Sequence, residues 1–389
     1  MIRLRWPLML LTILLIACNT TAQAIVLPTV TPLVYTTNEP FDNAQPTAVS
    51  PTFIPISSPP TATPAPTAIP TPPLPVIRQI SQGDCCTGVY WNAESTEVRF
   101  IDRPAADQPV GIWGIAVSQL ETAPYPVSER LGYYNQDGTI LAYPDKISGR
   151  VIIERLDDGQ TWSIDTQGSS ISFTPDDRLM WIVNDSDIWW QSQRGDVWLA
   201  DSDGGNAHIL VTLQRANLLA WLSDTELLIS RRLPPSQDTL LSRLSLEAGS
   251  IEDIVQLPPI RSLLFSPNRR TMIYMTRFEG DAGSGVWLLD LTAAHPQPER
   301  LPFFGSYRWR NDHQILYIPF DPAATRHVFY EYDLDSRQSR PLFPTDGETR
   351  FIIANNDWQV SPDGRKIAFV AAKGTALDGI WVIDLDQEQ

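Results

Sequence analysis

A tight-turn motif recurs about every 45 residues along most of this 389-residue chain. Its clearest copy is V-S-P-D-G, beginning at Val360, and F-S-P-N-R at Phe265 and F-T-P-D-D at Phe173 are close variants. The first residues of the copies define seven units, which begin at positions 91, 134, 173, 221, 265, 309 and 360. Repeats of this length with several short strands are typical of four-stranded propeller blades. The sequence therefore predicts an all-β, seven-bladed β-propeller.

The residues after each turn follow one order. An apolar strand comes first, as at Leu179 to Val183 and at Ile367 to Val370. A third strand such as D-V-W-L-A-D-S-D or G-I-W-V-I-D-L-D follows, and a polar hairpin leads to a short fourth strand. Asp-Gly and Pro-Asp pairs favour tight turns, so we interpret the acidic residues of the motif as turn residues.

The seventh unit has three strands and no fourth. A strand with an uncovered edge is a template for aggregation, and natural proteins avoid it. The segment P-V-I-R-Q-I-S, Pro75 to Ser81, precedes the first unit. We expect it to pair with Gly379 to Leu385 as the missing outer strand, which closes the ring.

The chain begins with an export signal. M-I-R-L-R-W-P-L-M-L-L-T-I-L-L-I-A-C has two arginines, a short apolar run and small residues before Cys18. Its end resembles the lipobox of bacterial lipoproteins, which implies a signal peptide over residues 1–17 and a lipid on Cys18. An ordinary signal peptide with a chance cysteine is the alternative. The resemblance predicts a protein anchored to the outer face of a bacterial membrane, with its domain extracytoplasmic.

Residues 18–74 are predicted to be a Pro/Thr-rich linker. Residues 19–75 hold 14 of the 34 prolines, and Glu39 and Asp42 are the only charges there. Such a composition cannot offset the entropy of folding, and it favours extended conformations. A disordered tether is the main interpretation, and a track for a proline-reading domain is the alternative. Residues 75–389 then form the propeller.

The repeats resemble the TolB-like propeller repeat, in which W/F-S-P-D-G is followed by an apolar strand and a segment of the type i-w-v-m-d-l-d. The resemblance covers nearly all of residues 80–389; it is strongest at Phe265 to Leu291 and Val360 to Asp386 and weakest in the first two units. It implies the fold and, more loosely, binding of partners in the cell envelope. It does not imply a role in one particular envelope system, because a fold alone does not carry function.

Composition argues against several classes of function. Acidic residues outnumber basic ones by 45 to 29, the net charge is −16, and no basic patch stands out, so nucleic-acid binding is not expected. The four histidines, His208, His295, His313 and His327, lie in different units without the spacing of metal ligands. The sequence therefore predicts no catalytic residue, no metal site and no cofactor.

Two short motifs resemble functional motifs of other proteins. R-L-D-D-G-Q-T-W, Arg155 to Trp162, resembles the Asp box of sialidases, with Arg155 in place of the serine; such boxes serve folding rather than catalysis. D-S-D-G-G-N, Asp201 to Asn206, resembles a short calcium loop but lacks the closing glutamate. Both are predicted to lie on blade hairpins.

Two residue pairs are candidate sites. Trp189 and Trp190 lie in a lengthened loop between the second and third strands of their unit, where paired tryptophans form a binding patch or pack back on the blade. Cys85 and Cys86 are adjacent, and in an oxidising compartment we expect a disulfide between them, with free thiols as the alternative.

The combined prediction is a membrane-anchored extracytoplasmic binding or scaffolding protein, with a protein or glycan of the cell envelope as its partner. The alternative is an envelope enzyme, most plausibly a carbohydrate-active, sialidase-like glycosidase. A cluster of converging acids and arginines at one end of the channel would favour the enzyme.

Overall fold

The structure is a computed structural model that describes residues 75–81, 86–103, 107–108, 110–118, 123–135, 137–186, 192–232, 238–276, 284–343, 351–373 and 376–386. The chain divides into two units, Met1–Ala68 and Ile69–Gln389, and all described residues lie in the second. This described part is all β, without a helix, and it contains no helix long and apolar enough to cross a membrane.

Twenty-eight strands form seven antiparallel sheets of four strands each, which are the seven blades. Blade 1 contains β2 (Thr87–Trp91), β3 (Glu97–Asp102), β4 (Gly111–Ala116) and β5 (Tyr125–Ser128). Blade 2 contains β6 (Tyr133–Tyr134), β7 (Ile140–Asp145), β8 (Arg150–Arg155) and β9 (Thr161–Ile164). Blade 3 contains β10 (Ile171–Phe173), β11 (Leu179–Asn184), β12 (Arg194–Ala200) and β13 (His208–Gln214). Blades 4 and 5 are built from β14 (Ala216–Ser223), β15 (Glu226–Arg232), β16 (Thr239–Ser245) and β17 (Ile251–Leu257); and β18 (Ile260–Phe265), β19 (Thr271–Thr276), β20 (Val286–Asp290) and β21 (Glu299–Arg300). Blade 6 contains β22 (Gly305–Trp309), β23 (Gln314–Pro319), β24 (Tyr330–Asp333) and β25 (Gln338–Pro341). Blade 7 contains β26 (Ile352–Val360), β27 (Lys366–Lys373), β28 (Ala376–Asp384) and β1 (Val76–Gln79).

The blades form a ring in which the first strand of each blade is innermost. The first strands of adjacent blades approach each other, as β2 approaches β26 and β22 approaches both β18 and β26. The predicted seven-bladed propeller is therefore confirmed, and the seven predicted second strands coincide with β3, β7, β11, β15, β19, β23 and β27.

The ring is closed by the N-terminal strand, as predicted. β1 pairs antiparallel with β28, with Val76 opposite Asp384 and Gln79 opposite Trp381. The backbone N–H of Ile380 then donates to Ser81 Oγ at 2.8 Å. Gly379 has a φ of +77°, and a Cβ on it would lie 2.3 Å from the Ser81 carbonyl oxygen, so the position requires glycine.

The repeated turn has one hydrogen-bond pattern. Ser361 Oγ accepts from the N–H of Lys366 at 2.9 Å and donates to Asp363, whose Oδ1 accepts from the N–H of Arg365 at 3.0 Å. In blade 5, Ser266 Oγ accepts from the N–H of Thr271 at 3.0 Å. The acidic and hydroxyl side chains of the motif therefore hold the turn, as the sequence interpretation states.

Apolar clusters fill six of the seven blade interfaces among the described residues, namely those between blades 2 and 3, 3 and 4, 4 and 5, 5 and 6, 6 and 7, and 7 and 1. No cluster of described residues bridges blades 1 and 2. Burial of apolar surface between blades is the main source of stability in such a ring. The blade 1–2 interface is thus the exception.

Antiparallel pairing gives the ring two distinct faces. The connections from second to third strands and from each blade to the next emerge on one side, which we call the front face. The turns between first and second strands and the hairpins between third and fourth strands emerge on the other, the back face. Because β1 serves as a fourth strand, the chain enters the propeller at Val76 on the back face.

Candidate functional site

A cavity of about 750 Å³ opens on the front face and extends into the channel between blades 5, 6 and 7. We call it the front cavity. It is built on β18, β22 and β26, which are the inner strands of these blades, and on the connection that follows β23. Its size is that of a pocket for a small organic ligand or a short peptide segment.

Irregular inner strands shape this cavity. The β18–β19 register shifts between Arg261 and Leu264, and Ser262 there has a φ of +49°. The β26–β27 register shifts between Ile353 and Trp358, and Asn356 has a φ of +60°. Left-handed backbone at residues other than glycine is uncommon, and bulges and such conformations are enriched beside binding sites.

The mouth of the front cavity is aromatic and apolar. Phe320 lies directly after β23 and is 68% exposed. Its ring packs edge-on against Phe304, with centroids 6.0 Å apart. The other apolar side chains of the lining are Leu263, Leu264, Met275, Ile318, Pro319 and Ile353. A large exposed aromatic side chain at the rim of an apolar cavity is a frequent anchor for a partner.

A single arginine supplies positive charge to the lining. Arg308, on β22, packs over the ring of Trp358 with its Cζ 5.0 Å from the ring centroid. It donates from Nη1 to the Tyr307 carbonyl oxygen at 2.8 Å and from Nε to Gln359 Oε1 at 3.4 Å. Burial lowers the pKa of Arg308, although Tyr307 and Asp357 oppose the shift.

His327 contributes a hydrogen-bond donor to the same cavity. Its Nδ1 accepts from the backbone N–H of Ile353 at 3.0 Å, so the neutral ring carries its proton on Nε2. Burial lowers the pKa of His327, which keeps the ring neutral. His327 is half-buried, because the connection after β23 folds over the cavity.

A second cavity, of about 700 Å³, lies along blades 1, 2 and 3, and we call it the tyrosine cavity. The rings of Tyr90 and Tyr134 lie 6.2 Å apart, and their buried hydroxyl groups make no hydrogen bond of ordinary geometry to described residues. Arg99 lies 5.7 Å from the Tyr134 ring centroid and donates to Glu97 at 2.7 Å. Burial is the main reason that the pKa values of both tyrosines are raised, so both hydroxyls stay protonated.

Several predicted site residues cannot be placed. Cys18, Cys85, Trp189 and Trp190 lie outside the described residues, and their predicted roles stay predictions. Cys86 is 6% exposed and disulfide-bonded, and its partner also lies outside the described residues. The predicted Cys85–Cys86 pairing therefore stays a prediction as well.

The Asp-box-like segment has a local structural role. Arg155 Nη1 donates to Asp158 Oδ2 at 3.0 Å, and the guanidinium lies over the Trp162 ring at 5.0 Å. Asp158 Oδ1 accepts from the N–H of Gln160 at 3.0 Å. These contacts hold the hairpin between β8 and β9, as the sequence interpretation predicts.

No metal centre is found where the structure describes the chain. Among those residues, no three His, Cys, Asp or Glu side chains are grouped so that they could hold an ion. In the D-S-D-G-G-N hairpin, Asp203 Oδ1 accepts from the N–H of Gly205 at 2.8 Å, and the Asn206 side chain donates to Asp201. The hairpin thus uses its acidic side chains for its own turn.

Sequence reasoning missed Arg308, Phe320 and the position of His327. Arg308 lies one residue before the W-R-N-D-H copy of the turn, so it is on the inner strand and near the channel. The repeat therefore predicts that Arg308 lies on the inner strand. No sequence pattern predicts the exposure of Phe320, because the connection after β23 has no recurring pattern.

Comparison with known proteins agrees on the fold only. No protein-family model matches the chain, and no curated protein matches it. Among solved structures, an oligogalacturonate lyase from Vibrio parahaemolyticus superimposes with a TM-score of 0.56 at 10% identity, over 80% of this chain and 94% of that one. A structure from a study of two prolyl endopeptidases gives a TM-score of 0.54 at 11% identity, over 79% of this chain and 48% of that one.

TolB from Agrobacterium tumefaciens is also matched, with a TM-score of 0.38 at 13% identity, over 57% of this chain and 84% of that one. Likeness at these identities shows the fold alone. The seven blades and their shared turn show the predicted seven-bladed β-propeller fold, and TolB proteins are among the structures that it matches. The lipoprotein assignment made with it stays a prediction.

Proposed function

We propose that this protein is a membrane-anchored, extracytoplasmic binding protein that holds a partner at its front cavity. The observation that carries the proposal is the open apolar cavity with Phe320 exposed at its mouth. When a partner covers an exposed aromatic side chain of this kind, apolar surface is removed from water, and the contact contributes strongly to binding. The partner we expect is a protein or glycan of the cell envelope.

The point at which the chain enters the propeller supports this proposal. The chain enters β1 on the back face, whereas the front cavity opens on the opposite face. A linker over residues 18–74 attached to a lipid on Cys18 would therefore join the propeller on the side away from the cavity.

Site-specific photocrosslinking in intact cells tests the proposal. The residue p-benzoylphenylalanine replaces Phe320 in the anchored protein, and in a matched variant it replaces Ile251, which is 52% exposed on the back face. We expect a discrete crosslinked species from position 320 that is absent from position 251. Equal crosslinking from both positions, or none from either, contradicts the proposal.

Membrane attachment is tested separately by Cys18→Ser. Loss of the acylated residue should move the protein from the membrane fraction to the soluble fraction while the propeller stays folded. Near-ultraviolet circular dichroism of the released protein is the control for folding. If the variant still sediments with membranes, the anchor lies elsewhere.

A carbohydrate-active enzyme is the second candidate function. It is favoured by Arg99, which lines the tyrosine cavity and forms an ion pair with Glu97. One of the structural neighbours is an oligogalacturonate lyase, so oligogalacturonate is a reasonable substrate to test, together with sialosides. Turnover that is lost in Glu97→Gln would support an enzyme, and absence of turnover in the wild type would leave the binding proposal alone.

A further inference from the structure

We infer that the front cavity recognises the carboxyl terminus of a polypeptide that ends in an apolar residue, with Arg308 as the partner of the terminal carboxylate. This inference rests on the proposed binding function and names the chemistry of the partner. Carboxyl-terminal capture is a recurring mode of peptide recognition.

Arg308 has donor capacity that the protein does not use. Its Nη1 and Nε bond to neutral oxygens of Tyr307 and Gln359, and Nη2 has no hydrogen-bond partner among the described residues. No carboxylate of that same part of the chain lies within ion-pair distance of it. Asp321, the carboxylate in the lining of this cavity, accepts from the N–H of Ala323 at 2.9 Å. Asp357 accepts from the backbone N–H groups of Gly88 and Val89 at 2.6 and 3.0 Å.

A neighbouring arginine shows what a structural cation looks like in this fold. Arg310 lies two residues further along the chain and pairs with Glu331, which is 2% exposed, and with Asp386 at 2.7 Å. A partly buried cation without a counter-ion costs free energy, so natural proteins pair such charges or use them. Arg308 therefore has the properties of a group that binds an anionic ligand.

The remainder of the cavity suits the end of a peptide. Guanidinium and carboxylate match in geometry, and their hydrogen bonds are strong because both groups are charged. The apolar lining of Leu263, Met275 and Phe304 would hold the terminal side chain. Asn356 and the Nε2–H of His327 are neutral hydrogen-bonding groups suited to the peptide amides.

The test compares two probes that differ only in the terminal charge. They are the dipeptide N-acetyl-leucyl-phenylalanine with a free carboxylate and the same dipeptide as its amide. Binding to the full chain is measured by calorimetry and by tryptophan fluorescence, for which Trp358 under Arg308 is a reporter. A charge-assisted hydrogen bond contributes about 1.5–3 kcal/mol, so we expect the acid to bind roughly ten- to a hundredfold more tightly.

Substitution of the arginine assigns the effect. Arg308→Gln should remove the difference between acid and amide while it leaves the affinity for the amide within about threefold, and Arg308→Lys should keep part of the difference. Arg270→Gln, an exposed position on the back face, changes net charge equally and is the matched control. Melting temperatures show whether each variant is folded.

The wild-type protein alone keeps the inference testable if Arg308→Gln does not fold. Preference for the acid should fall as salt is raised from 0.05 to 0.5 M, because salt screens a charged contact. Equal affinity for acid and amide, or no binding of either, overturns the inference. Crosslinking from position 320 would still stand in that case, so failure of this inference is distinguishable from failure of the proposed function.

Discussion

The interface between blades 6 and 7 and the interface between blades 1 and 2 come from the same repeat but are packed in opposite ways. Between blades 6 and 7, Phe329, Trp358 and Phe369 are each fully buried, and the Phe329 ring packs against the other two rings. Between blades 1 and 2, tyrosines and Arg99 line a cavity, and the inner strand of blade 2 has only two residues.

The difference shows what the repeat specifies. The turn and the alternation of strands are kept in all seven units, so every unit makes a blade. The apolar side chains that join blades vary much more, and they are sparsest where the turn motif is most altered, in the first two units. A chain of this kind tolerates one polar interface because the other six hold the ring together.

Removal of Pro75 to Ser81 should have the largest effect. It strips the outer strand from blade 7, uncovers Ile77 and Ile80, which pack on opposite sides of that blade, and breaks the bond from Arg78 to the Val117 carbonyl. Each hydrogen bond contributes about 0.5–1.5 kcal/mol and each buried isoleucine about 1.5–3 kcal/mol. We expect a large fall in the melting temperature and self-association in size-exclusion chromatography.

Deletion of residues 19–73 is the control for this truncation. It removes many more residues but is expected to leave the melting temperature almost unchanged, because a segment with the composition of a disordered linker, as the sequence predicts here, contributes little to a core. If the shorter deletion is harmless, or the longer one is not, the ring does not depend on β1 in the way the pairing indicates.

Trp358→Ala and Tyr134→Ala compare the two interfaces directly. Loss of a buried tryptophan costs about 3–5 kcal/mol, and Trp358 also donates to Ser306 Oγ at 2.8 Å. Tyr134 is partly exposed and belongs to no apolar cluster, so its loss should cost about half as much. Denaturant unfolding measures both, and equal costs would contradict the contrast between the interfaces.

Tyrosine-to-phenylalanine changes refine the same comparison. Tyr134→Phe removes a buried hydroxyl that makes no hydrogen bond of ordinary geometry to the described residues, so the free energy of unfolding should stay constant or rise by up to about 1 kcal/mol. Tyr307→Phe removes a hydroxyl that donates to the Ser262 carbonyl and should cost about 1 kcal/mol. A loss in Tyr134→Phe as large as that in Tyr307→Phe would show that the first hydroxyl has a partner.

The smallest expected effect is on the pH dependence of the free energy of unfolding, and it comes from His327 at the edge of the blade 6–7 interface. Burial lowers the pKa of His327 below its ordinary value of 6.5, so between these two values the unfolded chain binds more protons than the folded protein. The free energy of unfolding therefore falls as pH falls through this window. His327→Gln keeps an acceptor for the Ile353 N–H without titrating, and its unfolding free energy should fall less between pH 7 and pH 5. Parallel curves for the two proteins would contradict this.

The sequence was sufficient for the architecture because the architecture is repetitive. Turn residues such as Ser361 and Asp363 act over a few positions, and the closing strand followed from the one blade that lacked an outer strand. The candidate site was not predictable in the same way. Arg308 is a functional candidate because no carboxylate of the described residues pairs with it, and Phe320 is one because its ring is largely exposed. Both properties depend on how three blades are arranged around a cavity.

Closure by the two ends of the domain also sets an order on synthesis. β1 is among the first parts of the propeller to leave the ribosome, and its partner β28 is among the last; Arg78 and Asp384, which they bring together, are 306 residues apart. Joining ends that far apart costs roughly 5 kcal/mol of chain entropy, so β1 gains little until the remaining blades have drawn them together. A product truncated before residue 376 would keep β1 and lack the strand that covers it. Because β1 has its strand partner only when β28 is present, ring closure depends on strands from both ends of the domain.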